Sequence, residues 1–372
     1  MKLKKCLYGL NDASLKWFKA AKEELARNGC KQCSQDPAFF YKHNKEGDLD
    51  GMICLHVDDL LYCGTPDFEK KVTKEVRKTF KMGSEQSESF KYIGFDIHQS
   101  DDFMEVGQNN YVKDNVPDFQ IPPHRRQNPD DELKPDEYTV LRKVAGKVGW
   151  VAQGTRPDLC FGRVNLSTKF KKANVRDLME AIKLVRKLKD TPSKLIIPSG
   201  LGKVEKWSLE LYTDASLGNL EASKSTGGFI LLIKGENDKV VPLNWNSNRI
   251  TKVVASTLSA EALAMEHGIN EAIYSRQVLE EVFGLPEKSI EINVYTDSKN
   301  LLQAIQGNKG ISEKRLRRDI NIIKQTLEDK EVSAISWIPA EQMLADSMTK
   351  KTANPAKLLA VLQTNSSCKA VN

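Results

Sequence analysis

SLELYTDAS at residues 208–216 and EINVYTDSK at residues 291–299 share one local pattern: an apolar run leads into Tyr-Thr-Asp and then a small residue. Each run predicts a strand, with Asp214 and Asp297 placed at the strand ends where the chain turns. Working outward, GGFILLIK (227–234) and VVPLNWNS (240–247) read as two further strands, and SAEALAMEHGINEAIYSRQVLEEVFG (259–284) reads as a long helix. EVSAISWIP (331–339) supplies a last strand ahead of a short helix. Three consecutive strands followed by alternating helices and strands predict a mixed α/β sheet rather than an all-parallel one.

Two more acids fall at the start of elements in this region: Glu261 at the head of the long helix and Asp346 in LADSMTK. Taken singly, an Asp at a strand end most often just closes a turn. Four acids on four elements can instead converge on one point. Such a cluster is costly unless a cation neutralises it, because buried like charges repel and raise each other's pKa. Hard oxygen ligands with no His or Cys among them suit Mg²⁺ or Mn²⁺, and two such ions clamp the attacking and leaving oxygens in phosphodiester cleavage. The expected chemistry is that of a nuclease.

Upstream, MICLHVDDLLYC (52–63) has two short apolar runs flanking Asp58 and Asp59, a strand, turn, strand pattern with acids at its tip. Residues 13–28 carry apolar positions at helical spacing and stop at Gly29, which suits a glycine C-cap. QIPPHRRQNPDDELKP (120–135) is too rich in proline and charge for regular structure. Helices are expected at 137–153 and 177–188, and the Pro/Gly-rich stretch 192–202 marks a boundary. The expected domains are 1–115, 116–202 and 203–352, with a frayed tail at 353–372.

At 372 residues the chain exceeds one core. With 40% hydrophobic and 28% charged residues, it reads as globular rather than disordered, and neither a signal peptide nor a spanning helix is expected. A net charge of +6 permits a polyanionic partner without requiring one. Positive charge concentrates at Lys309, Lys314, Arg315, Arg317 and Arg318, which reads either as a solvated helix face or as a surface holding nucleic-acid phosphates. The seven cysteines form no dense framework, so a reduced, intracellular location is expected. Cys30 and Cys33 make a lone CxxC that reads as packing.

YTDAS, STGGFILL, LNWNSNR, STLSAEALAM, VYTDSKNLL and WIPAEQMLADSMTK, in that order over about 207–350, resemble the ribonuclease H domain of copia-type retrotransposons. The resemblance implies Asp214, Glu261, Asp297 and Asp346 as ligands of two Mg²⁺ or Mn²⁺ ions, and cleavage of the RNA strand of an RNA/DNA hybrid to 3′-hydroxyl and 5′-phosphate ends. Many ribonucleases H carry a mobile His just before the final acid, and none stands there in this chain; Trp337 stands near where copia-like sequences often show His-Val-Pro. KKCLYGLNDASLKWF, LHVDDLLYCG, FKYIGFDI and YTVLRKVAGKVGWVAQGTRPDL resemble the same elements' reverse transcriptase, extending the likeness over most of residues 3–350.

The implied fold is α/β throughout: an α+β palm remnant followed by a ribonuclease H-like mixed domain. Asp58 and Asp59 are then implied to bind metal for RNA-directed DNA polymerisation on an RNA template and DNA primer, with His56 in place of the usual Tyr. The family's further metal-binding Asp lies upstream of LYGL, and only six residues precede Leu7, so an incomplete polymerase site is expected. The alternative is a catalytically inactive template- and primer-binding remnant. No membrane partner is expected; Gag or other Pol products are, in cytoplasm, virus-like particle or nucleus.

Overall fold

The helix Ala13–Arg27 turns out of its last turn at Gly29, whose φ of +80° is the left-handed conformation glycine tolerates. The computed structural model describes residues 12–307, 311 and 313–367. Two compact units make up the chain: residues 1–87 with 274–289, and residues 88–273 with 290–372.

In the first unit, β1 (Lys31–Gln32), β2 (Phe39–His43), β3 (Leu49–His56) and β4 (Asp59–Gly64) form an antiparallel sheet in that order. Ala21 and Leu25 of the helix pack with Phe40, Ile53, Leu55, Phe68 and Val72. Phe68 is fully buried, and it lies against the bare backbone of Gly51 and Gly64, where an added Cβ would come within 2.4 Å and 2.6 Å of its ring. The unit also includes the last turns of the helix Thr257–Phe283. Glu281 there accepts hydrogen bonds from the Ser34 amide (2.9 Å) and the Tyr41 hydroxyl (3.2 Å).

The second unit holds two sheets. One is antiparallel: β5 (Ser89–Tyr92), β6 (Phe95–Gln99), β7 (Phe103–Gly107) and β8 (Lys194–Pro198). The other contains β9 (Ser208–Leu220), β10 (Lys224–Lys234), β11 (Val240–Arg249), β12 (Glu291–Thr296) and β13 (Ala334–Trp337), in the order β11-β10-β9-β12-β13. β9 to β11 are antiparallel, whereas β12 runs parallel to β9 and β13 parallel to β12. This is the mixed sheet expected from the sequence.

Helices Pro135–Gly154, Cys160–Thr168 and Val175–Asp190 share a hydrophobic cluster with Tyr212, Ile230, Leu232 and Trp245 of the larger sheet. The Trp245 indole donates to the Ala152 carbonyl (2.9 Å), and Arg163 donates to that of Ser247 (3.1 Å). Arg156 and Asp158, 2% and 0% exposed at their side chains, form a two-pronged pair at 2.8 and 3.0 Å. Arg156 also donates to the Thr191 carbonyl (2.9 Å), and Lys187 reaches Asp158 (3.0 Å). These partners outweigh the burial that opposes ionisation and hold the Asp158 carboxyl below its ordinary range.

Two expectations change. The segment after residue 352 is not frayed over its described length: Ala356–Thr364 is a helix burying Leu358, Val361 and Leu362, and the Asn365 amide after it donates to the Ile196 and Val240 carbonyls. Apolar burial against β8 and β11 orders a helix too short to be stable alone. Asp214 does not end its strand, because β9 continues to Leu220 through its pairing with β10. Among the described residues no helix is long and apolar enough to cross a membrane.

Candidate active site

The repeated Tyr-Thr-Asp becomes a matter of register. Parallel pairing of β9 with β12 reaches Tyr212 opposite Tyr295, whose rings stack at 4.9 Å between centroids. Side chains alternate faces along a strand, so two residues further on each chain carries a carboxylate on the same face: Asp214 from one, Asp297 from the other. β12 ends there, while β9 runs on beside β10, which leaves the pair at the point where the parallel strands part. The short helix Asp346–Thr349 packs against β9 and β10 and brings Asp346 to the same place.

Asp214, Asp297 and Asp346 each offer an oxygen within 4.8 Å of the others, and no other group of His, Cys, Asp and Glu among the described residues is so arranged. Asp214 is fully buried and Glu261 is 4% exposed. Glu261 lies outside the tight trio, in the second turn of Thr257–Phe283, close enough for Asp214 and Asp297 to act on its charge. Its Oε2 is buried with no hydrogen-bond partner among the described residues.

Charge crowding shows in the acidities. Burial, reinforced by Asp297 and Asp346, pushes the Asp214 carboxyl up to about 6 although Lys350 and Thr349 pull it down. Glu261 is pushed well above the carboxylate range by burial and then by Asp214 and Asp297, and Asp297 is raised chiefly by burial. An oxygen-only donor set, a buried carboxylate oxygen without a partner and three acids, Asp214, Glu261 and Asp297, resisting ionisation together fit a divalent cation.

Lys350 and Thr349 also belong to the site, and the sequence reading passed over both. The Lys350 ammonium pairs with Asp346 and lies 3.2 Å from Asp214, while the Thr349 hydroxyl donates to the other Asp214 oxygen. Burial works against that ammonium, but Asp214, Asp346 and Asp297 hold it charged. The available signal was the i, i+4 spacing of Asp346 and Lys350, which places both on one helix face.

None of the remaining candidates belongs to the tight trio. Asp58 and Asp59 are exposed, Asp58 in the two-residue turn between β3 and β4 and Asp59 paired with His56; Val57 beside them has a φ of +56° and accepts a hydrogen bond from the Trp17 indole. Lys309 lies outside the described residues, and the basic helix begins at Lys314. Lys314, Arg315, Arg317 and Arg318 are exposed while Leu316 and Ile320 face inward, so the charges line one side. Arg317 is already engaged with the Ile311 carbonyl (2.8 Å). Trp337 ends β13, donates to the Asp297 carbonyl (3.0 Å) and carries the Lys299 ammonium 4.4 Å above its ring. Cys30 and Cys33 are buried in apolar clusters, in keeping with packing.

Residues 1–126 match the family model described as reverse transcriptase (RNA-dependent DNA polymerase). The chain is 26% identical over 386 residues to the transposon Ty1-ER2 Gag-Pol polyprotein of Saccharomyces cerevisiae, covering 94% of this chain and 21% of that one. The chain is thus similar to a reverse transcriptase family model over its first third and to retrotransposon Gag-Pol polyproteins over most of its length. The Ty1-GR3 Gag-Pol polyprotein of the same yeast aligns at 25% identity, again over 94% of this chain. The chain spans about a fifth of the length of these curated relatives. Among solved structures, the foamy viral protease-reverse transcriptase in complex with RNA/DNA hybrid is similar over 94% of this chain and 39% of its own, at 14% identity and a TM-score of 0.49. LC11-RNase H1 in complex with RNA/DNA hybrid covers 37% of this chain and 88% of its own, at 18% identity and a TM-score of 0.28.

Proposed function

We propose that this chain is the reverse transcriptase and ribonuclease H segment of a retrotransposon Pol protein, and that its second unit cuts the RNA strand of RNA/DNA hybrids. The observation that carries this reading is the meeting of Asp214, Asp297 and Asp346 within 4.8 Å, with the partnerless oxygen of Glu261 beside them. Asp214, Glu261, Asp297 and Asp346 would hold Mg²⁺ or Mn²⁺. Two such ions, when bound, supply charge stabilisation to the attacking and leaving oxygens of a phosphodiester.

The chain's own residues do the positioning. The Thr349 hydroxyl and the Ala215 amide fix Asp214 and Glu261. The Trp337 indole pins the backbone of Asp297. Exposed Lys314, Arg315, Arg317 and Arg318 suit contact with the phosphates of a duplex, a contact that orients the backbone without reading sequence. Selection of the RNA strand would rest on groove shape and the 2′-hydroxyl.

In the first unit, Asp58 and Asp59 would serve RNA-directed DNA polymerisation on a template and primer, together with a further acid that does not join them among the described residues. Other Gag and Pol products are its further partners. An intracellular, reducing setting agrees with the five cysteines among the described residues, all free. An inactive binding remnant is disfavoured, since an assembled buried acid cluster is costly to keep unless it is used.

The deciding experiment uses a hybrid labelled on either strand. With Mg²⁺ the RNA strand alone is cut, to 5′-phosphate products, and chelation stops the reaction. Cleavage of neither strand, or of both at equal rate, would overturn the reading.

A further inference from the structure

The acid cluster already has a cation in it. Lys350 follows Asp346 by one helical turn, and its ammonium bridges Asp346 and Asp214, 3.2 Å from an oxygen of the latter. Those are the oxygens a divalent ion would need. The side chain is 34% exposed, so it is not locked in the protein interior. On its other side Lys350 lines a cavity of about 200 Å³, whose wall also carries Glu180, Lys183, Lys187 and Lys351. Glu180 there pairs with Lys183 and Lys351 and offers an acidic alternative for a displaced ammonium.

Resting on the reading of the four acids as a metal site, we propose that Lys350 is a built-in counter-cation: it holds the metal-free cluster together and must withdraw toward the Glu180 cavity before divalent ions load. One point charge and one divalent ion cannot share the same two oxygens at short range. A site whose open form is a minor population binds its ligand more weakly by that fraction. Lys350 would thereby set the metal concentration at which the site fills, without itself touching the reacting atoms. It is a positioning residue. A merely structural lysine would behave oppositely, because its loss would loosen the acids and weaken metal binding.

The test is a Mn²⁺ titration of the full chain in low salt at pH 7.5, reading the free-ion signal by electron paramagnetic resonance. Wild type, Lys350→Met, Lys350→Gln, Lys350→Arg and Asp297→Asn are compared, with melting temperatures taken in chelator and in saturating Mn²⁺. If the open form is populated on the order of 10%, both neutral variants bind Mn²⁺ about tenfold more tightly than wild type. Both also melt lower in chelator and recover in Mn²⁺, while Lys350→Arg stays near wild type. Unchanged or weaker Mn²⁺ binding by both neutral variants overturns the inference. If wild type and Asp297→Asn bind Mn²⁺ equally poorly, the metal site itself is wrong. If wild type binds and Asp297→Asn does not, that site stands and the lysine variants alone decide.

Discussion

Replacing Asp214 with Asn in the metal-free protein should stabilise it. Asp214 is fully buried, and its carboxyl is displaced from 3.8 to about 6. At about 1.4 kcal/mol per pKa unit, the ionised form costs about 3 kcal/mol in the folded state relative to the unfolded chain. The sign follows from proton counting. A folded carboxyl that holds its proton more tightly than the unfolded one makes the folded state bind more protons between pH 3.8 and about 6. Stability therefore falls as pH rises through that window, and the loss is complete above it. Asn carries no charge to desolvate, and it relieves the repulsion felt by Glu261. Thermal unfolding in chelator at pH 7.5 should show Asp214→Asn melting above wild type by about 6–12 °C, given about 2–4 °C per kcal/mol for a domain of this size. The gap should shrink towards pH 4 and reverse when Mg²⁺ is added, since only wild type keeps the full ligand set. An Asn variant that melts below wild type in chelator, with a gap independent of pH, would refute the cost assigned to this carboxylate.

Arg156→Ala takes the two-pronged partner from the fully buried side chain of Asp158, leaving it Lys187, and should cost about 3 kcal/mol in urea unfolding, more than a surface ion-pair loss. Gly51→Ala drives a Cβ to within 2.4 Å of the Phe68 ring and should destabilise the first unit by about 1–3 kcal/mol; Phe68→Leu in the same chain should recover part of it, read by limited proteolysis. Lys314→Ala with Arg315→Ala, both exposed, should weaken hybrid binding across sequences and lower the slope of log affinity against log salt by about 2, as measured by fluorescence anisotropy.

The larger sheet was legible because its signals are local. The paired Tyr-Thr-Asp runs, the glycine-opened strand after them and the helical spacing from Thr257 each name their element without outside help, and the register that joins Asp214 to Asp297 follows from the repeat itself. What could not be read was tertiary. The helix Ala356–Thr364 has only nine residues and depends on the surface it covers. Asp214 looked like a strand end because its apolar run stops there, whereas β10 keeps pairing with the more polar residues beyond. Residues 88–107 look continuous with the Asp58–Asp59 hairpin in sequence, yet the last of their strands, β7, pairs with β8, nearly a hundred residues on, and all three belong to the second unit. The i, i+4 spacing of Asp346 and Lys350 was too weak a signal to single the lysine out, since one lysine four residues after an acid is ordinary on any helix. Only the fold shows that this pair sits inside the acid cluster.

Strand-specific hybrid cleavage by wild type and Asp297→Asn at saturating Mg²⁺ tests the central claim most directly. Asp297 lies in the tight trio of acids, with its backbone held by Trp337, so the substitution removes a proposed ligand while leaving the surrounding fold in place. The RNA-cutting rate should fall by at least about a hundredfold, in line with the several kcal/mol that metal ions contribute to such reactions. Equal rates for the two proteins, or no RNA cleavage by either, would contradict the assignment of these four acids as a nuclease site.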